Sequence, residues 1–194
     1  MRIAIDHLCT GRVGGLFAEG RRFTSAIGKR SRTEAVALSA LGLAGDEQAD
    51  LSVHGGLDKA VYLYPVEHHA FWSEQMRIAK RVDHSFDYGA FGENLSSEGL
   101  LEQSLWVGDR LQIGEVLLQV TEPRQPCFKF AACMGYAAAV RHMLQSGRTG
   151  VYLKVVTDGT LQAGDEIVLM PGKREVSIAS INERRLKGRQ RDLF

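Results

Sequence analysis

The apolar residues of this chain come in short runs rich in Val, Ile and Leu, broken by 21 glycines against only four prolines. Short apolar runs closed by glycine are what a chain needs to build strands joined by tight turns and bulges. Segments 2–8, 22–27, 35–38, 60–64, 104–107, 110–113, 116–121, 151–156 and 166–170 read as strands. Two stretches resemble one another, "LWVGDRLQIG" at 105–114 and "LQAGDEIVLM" at 161–170. Each sets a Gly-Asp pair between two runs, as a turn does when it needs positive φ before re-entering a sheet. We read them as corners of a closed or nearly closed barrel.

Helices are fewer. "PVEHHAFWSEQM" at 65–76 opens with proline at a first-turn position, and "YAAAVRHMLQ" at 136–145 is alanine-rich and stops at Ser146-Gly147. Both are expected to cover the ends of the barrel. After Gly172 the composition turns basic, and "KREVSIASINERRLKGRQRDLF" reads as a short helical tail. The expected division is a mainly β barrel domain over 1–172 and a tail over 173–194, whose arginine run is read as a solvated face.

With 44% hydrophobic and 24% charged residues the chain of 194 is built to fold, and its formal net charge of +1 gives no global pull towards nucleic acid. Any charged ligand must be held locally. Cys9, Cys127 and Cys133 are too few, and odd in number, for a disulfide framework, which points to a reducing compartment. No window reaches the roughly 18 consecutive apolar residues of a membrane span, so a cytoplasmic protein is expected.

Three constellations carry candidate chemistry. In "EPRQPCFKF" at 122–130, Pro126 places Cys127 at the start of a helical-looking run, with Arg124 and Lys129 close by in sequence. A first-turn position and neighbouring cations both favour a thiolate, which is a nucleophile or a ligand for a soft metal. On residue types alone, a buried inert cysteine and a reactive one stand level. Cys133, among small apolar residues in "FAACMGY", is read as inert.

In "GDEQADLSVHGGLDKAVYLY" at 45–64, His54, Gly55 and Gly56 form a flexible turn whose N–H groups can face an anion, with Lys59 at its rim. The alternative is a plain hairpin turn with a surface lysine. Asp46 and Asp50 either cap a turn or hold His54 or Lys59. In "AFGENLSSEGL" at 90–100, Gly92, Glu93 and Asn94 either bind a polar ring edge or satisfy their own backbone through Asn94. His68 and His69 are adjacent and point apart on a helix, so they make a poor zinc pair.

Taken in order, "GLAGDEQAD", "HGGLDKAVYLYPVEHHAFW", "FGENLSSEGL", "VGDRLQIGEVLLQVTEPRQPCFK" and "GVYLKVV" with its following "LQAGDEI" resemble the MOSC family, in particular its stand-alone YiiM-type branch. The resemblance implies a MOSC-type β-barrel with a few covering helices that binds the molybdenum cofactor in its molybdopterin form. It places Cys127 as the protein's thiolate ligand to molybdenum, within a Pro-Arg-x-Pro-Cys element that includes Arg124. Gly55, Gly56, Lys59, Gly92, Glu93, Asn94, Arg124 and Lys129 then line the cofactor cleft, and His54 either donates a proton or shapes its turn. Similar proteins carry a three-helix C-terminal extension, and against that pattern the tail of this chain is short.

The activity so implied is reduction of N-hydroxylated small molecules, such as N-hydroxylated nucleobases, to amines. No flavin, haem or iron–sulfur signature is seen, so electrons come from a separate reductase or flavoprotein. Stable binding to nucleic acid or membrane is not expected, and a homodimer is left open. Two other readings stay in view. One is a sulfur-carrier or cofactor-delivery module with a persulfide on Cys127. The other is a barrel that binds a phosphorylated small molecule or a partner without catalysis.

Overall fold

The structure, a computed structural model, describes residues 2–18, 20–49 and 55–191. In chain order its strands are β1 (Ala4–Thr10), β2 (Gly14–Ala18), β3 (Arg21–Ser25), β4 (Arg30–Arg32), β5 (Val36–Ser39), β6 (Gly42–Leu43), β7 (Val61–Pro65), β8 (Leu95–Glu98), β9 (Arg110–Ile113), β10 (Val116–Pro123), β11 (Val151–Thr157), β12 (Gly159–Leu161) and β13 (Val168–Met170). The α-helices are α1 (His69–Lys80), α2 (Phe128–Cys133), α3 (Ala139–Ser146) and α4 (Ile178–Arg191).

Eight strands make one sheet in the order β13-β9-β10-β11-β7-β8-β1-β4. Its pairs are antiparallel except β7 with β8, which run parallel through Leu63↔Leu95 and Tyr64↔Ser96. The sheet curls into a half-barrel, and the residues just before β13 draw its ends together. The Ile5 N–H donates to the Asp165 carbonyl at 2.9 Å and the Ile167 N–H to the Ile3 carbonyl at 2.8 Å. Strand β1 thereby pairs with this segment along its first half and with β4 along its second.

Alternation along the strands explains the layers, because successive side chains point to opposite faces. Val61, Leu63, Val151 and Leu153 point inward and join Leu111, Ile113, Val116, Leu118 and Val120 in the barrel core. Tyr62, Tyr64 and Tyr152 point outward, into a second cluster with Trp72, Phe91, Phe130 and Met143. That aromatic face must be covered, and α1, α2 and α3 cover it through Trp72, Phe130 and Ala139. The helices therefore lie on the outer face of the sheet, not over the barrel ends as the sequence reading had it.

Both Gly-Asp corners are built alike. Gly108 has φ +90° and Gly164 φ +92°. In each the aspartate accepts an N–H from three residues back, Asp109 from Trp106 at 3.1 Å and Asp165 from Gln162 at 2.9 Å. Segment 104–107, expected as a strand, is otherwise: a single 3₁₀ turn spans Glu102–Ser104, and pairing is limited to a bridge from Trp106 to Ser177. The turn swings the Glu102 carboxylate inward, where it meets His68 Nε2 at 2.8 Å and accepts the Gly150 N–H at 2.7 Å. A buried carboxylate needs such partners, and they outweigh the strand pattern. His68 is thus buried against the Glu102 carboxylate while His69 packs on Tyr88 and Phe91, so the two point apart as expected.

Gly150 sits at φ +62°, and a Cβ there would stand 2.5 Å from the Leu63 carbonyl oxygen, part of the backbone of β7. Gly150→Ala is expected to cost at least about 1–2 kcal/mol from the left-handed conformation alone, with the steric clash adding to it. A lowered urea midpoint at unchanged slope would register this; an unchanged midpoint would contradict it.

Candidate functional site

Strands β7 and β11 bring Tyr62 and Tyr152 side by side, directly paired in register. Their rings, 5.3 Å apart, form one wall of a cleft that is partly open to solvent. Burial pushes both hydroxyls up, against the pull of the nearby Arg124 charge. The other walls come from the loop after β3, from the Asp46–Ala49 segment, from Asn94 and Gly92, and from the residues after β10.

Seven of the residues singled out from sequence meet here: Asp46, Lys59, Gly92, Asn94, Arg124, Cys127 and Lys129. Cys127 is half-buried and in extended conformation immediately before α2, and its carbonyl accepts the Phe130 N–H at 3.0 Å. Arg124 is only 7% exposed. Its guanidinium lies 4.8 Å from the Tyr62 ring centre and 5.0 Å from that of Phe130, donates to the Phe91 carbonyl, and stands within electrostatic reach of Cys127. Among the described residues it makes no ion pair, and its Nε is buried without an acceptor. A buried guanidinium without a carboxylate is costly unless an anion joins it.

Lys129 lines the cleft, with its ammonium donating to the Thr24 carbonyl at 2.9 Å. Lys59 lies 3.3 Å from Glu122 Oε1 and 5.7 Å from the Tyr152 ring centre. Asn94 is 3% exposed and is tied at both ends of its amide. Its Oδ1 accepts the Tyr62 N–H at 3.0 Å, and its Nδ2 donates to Asp46 at 2.9 Å. Gly92 has φ +82°, and a Cβ there would meet Ile27 at 2.8 Å, so only glycine lets the two loops close on each other.

Two expectations are corrected. Glu93 is fully buried away from the cleft and organises its own loop, accepting from the Gly89 N–H at 2.7 Å, the Phe91 N–H at 3.0 Å and the Ser96 hydroxyl at 3.1 Å. Burial raises its pKa against the pull of those donors. The Gly55–Gly56 turn does not line the cleft, and the Gly56 N–H, expected to face an anion, is taken by Gln48 Oε1 at 2.7 Å. Cys133, read as inert, is an exposed residue whose thiol stands 3.9 Å from the Ala90 carbonyl and is pushed up in pKa by desolvation. His54 and Asp50 lie outside the described residues.

The sequence reading missed Lys29, the partner of Asp46. The Lys29 ammonium is 2.6 Å from Asp46 Oδ2, both side chains are buried, and both line the cleft. Burial lowers the Lys29 pKa, with Asp46 opposing it. Asp46 also accepts the Gly11 N–H at 2.8 Å, so it organises the cleft floor instead of holding Lys59. Tyr62 and Tyr152 were missed too, although the alternation in "VYLYP" and "VYLKV" marks them as facing away from the aliphatic core.

Together these make a β half-barrel whose outer face carries a cationic, aromatic-walled cleft around one thiol. The chain belongs to the MOSC family: the MOSC domain profile matches residues 50–168. An uncharacterised protein of Bacillus subtilis, YflK, is 36% identical over 182 residues, covering 93% of this chain and 80% of that one. A protein of Gibberella moniliformis named as a reductase is 36% identical over 154 residues, 79% of this chain but only 27% of that one. The crystal structure of YiiM from Geobacillus stearothermophilus superposes with a TM-score of 0.76 at 32% identity, covering 96% of this chain and 85% of that one. MOSC domains are associated with the molybdenum cofactor. No helix among the described residues is long and apolar enough to cross a membrane.

Proposed function

We propose that the chain is a molybdenum-cofactor-dependent oxidoreductase that reduces N-hydroxylated small molecules to amines. The observation that carries this reading is the buried, carboxylate-free Arg124 beside half-buried Cys127 in one cleft. The residues fit the group: a thiol suits a soft metal, and a guanidinium with flanking ammonium groups suits a phosphate. When bound, the cofactor supplies the two-electron redox centre that no side chain provides.

The chain's own residues do the rest. Cys127 offers its sulfur to the metal. Arg124 and Lys59 neutralise anionic oxygen, and the Tyr62 and Tyr152 rings wall off water from one side of the cleft. Reduction of R–NHOH to R–NH₂ breaks the N–O bond, consumes two electrons and two protons, and releases water. The electrons come from a separate reductase or flavoprotein, and the Lys29 and Lys59 ammonium groups are proton-bearing groups on the cleft wall.

Protein produced in a cofactor-making host is expected to contain molybdenum and to convert hydroxylaminopurine to the amine with a chemical reductant. Absence of both metal and turnover overturns the reading. Labelling of Cys127 by sulfane sulfur without turnover would move the assignment to a sulfur carrier.

A further inference from the structure

The C-terminal helix reaches the cleft from behind. Ile178, Asn182 and Arg185 are four and three residues apart, so one face of α4 carries all three. Ile178 is fully buried, and Asn182 Nδ2 donates to the Gly147 carbonyl at 3.1 Å and the Thr149 hydroxyl at 3.0 Å. These contacts seat the helix and leave Arg185 over the end of β10. There Nη1 donates to the Pro123 carbonyl at 2.7 Å and Nη2 to Glu122 Oε2 at 2.8 Å. The basic tail is thus more than a solvated face.

Both bonds land on the machinery of the cleft. Pro123 is the last residue of β10, Arg124 follows it, and Cys127 comes three residues later. The second oxygen of Glu122 lies 3.3 Å from the ammonium of Lys59, which lines the cleft. Tyr152, between them, lies within electrostatic reach of Arg124, Cys127, Glu122 and Arg185 together. One planar guanidinium therefore holds the backbone that leads to the thiol and the carboxylate that anchors a wall lysine. An ammonium has no such rigid fork.

We propose that Arg185 is a positioning residue of the cleft. It fixes the segment from Pro123 to Cys127 and holds Glu122 so that Lys59 stays at the cleft wall. This rests on the Cys127 cleft being the functional site, and not on molybdenum being there. The side chains of Arg185 and Glu122 are 24% and 34% exposed. Their loss should therefore act on local opening of the segment more than on global stability.

The test is alkylation of metal-free protein with N-ethylmaleimide, following Cys127 by peptide mass spectrometry with Cys133 of the same molecule as internal reference. In Arg185→Ala the Cys127 rate is expected to rise about threefold or more, as local opening becomes more frequent. The Cys133 rate should stay unchanged, and added guanidinium ion, well below denaturing concentration, should return Cys127 towards its native rate. Arg185→Lys, which keeps the charge and loses the fork, should fall between. A Cys127 rate that is unchanged or lower, a Cys133 rate that rises in step, or indifference to guanidinium overturns the proposal. If Arg185→Ala does not fold, the same criteria apply to Arg185→Lys. Alkylation needs neither metal nor turnover, so protein without molybdenum would sink the oxidoreductase reading and leave this one standing.

Discussion

Cys127→Ser is expected to abolish molybdenum retention and to lower turnover of an N-hydroxylated base by at least about a hundredfold, beyond what loss of a group supporting a ligand costs. The two side chains differ by one atom, and that atom is the soft donor. A serine hydroxyl stays protonated at neutral pH and matches molybdenum poorly. Because Cys127 is half-buried at the head of α2, the substitution leaves the core untouched and thermal stability should hold. Cys133→Ser is the control. That thiol is exposed, and its contact with the Ala90 carbonyl is long at 3.9 Å, so activity within about twofold of native is expected. Metal analysis and steady-state kinetics on both variants check this. Equal losses would mean that the sulfur ligand had been assigned to the wrong cysteine, and full activity in Cys127→Ser would remove the thiolate from the mechanism.

What the sequence made legible was whatever is written locally. The Gly-Asp corners at 108–109 and 164–165 could be read because a turn of this kind needs its glycine and aspartate next to each other. Cys127 could be marked as a candidate because the proline, the thiol and the cations that favour an anion sit within six residues, but those residues alone left it level with an inert cysteine. Glu93 could not be placed, because a carboxylate between glycine and asparagine looks the same whether it faces a ligand or its own loop amides. Lys29 was invisible for a different reason. It lies 17 residues from Asp46, and only the folding of two loops against β1 turns a lysine after a glycine into half of a buried ion pair. The position of the helices failed likewise. Their sequences say that they are amphipathic, but the aromatic face they cover is set by the alternation of β7 and β11.

Asp46→Ala is expected to destabilise the fold by about 3–5 kcal/mol, the usual consequence of leaving a buried ion without its partner. The Lys29 and Asp46 side chains are 7% and 6% exposed, so solvent cannot replace the lost carboxylate. The same substitution strips acceptors from the Gly11 N–H and from Asn94 Nδ2, and Asn94 in turn sets the Tyr62 backbone at the cleft wall. Removing both ions at once, in Lys29→Met with Asp46→Leu, should cost much less than the sum of the single changes, because no charge is then buried alone. The pH dependence separates this cause from lost packing. Burial already lowers the Lys29 pKa while Asp46 raises it, so without Asp46 the native pKa falls further below the unfolded value. Between those two values the unfolded chain binds more protons than the native one, and stability therefore rises with pH. The deficit of Asp46→Ala relative to the parent should shrink as pH rises above neutrality and the buried lysine sheds its proton. Urea unfolding at several pH values reads this directly. A deficit that stays flat with pH would show that Lys29 is not the group left uncompensated, and one below about 1 kcal/mol would place the pair among those that solvent screens.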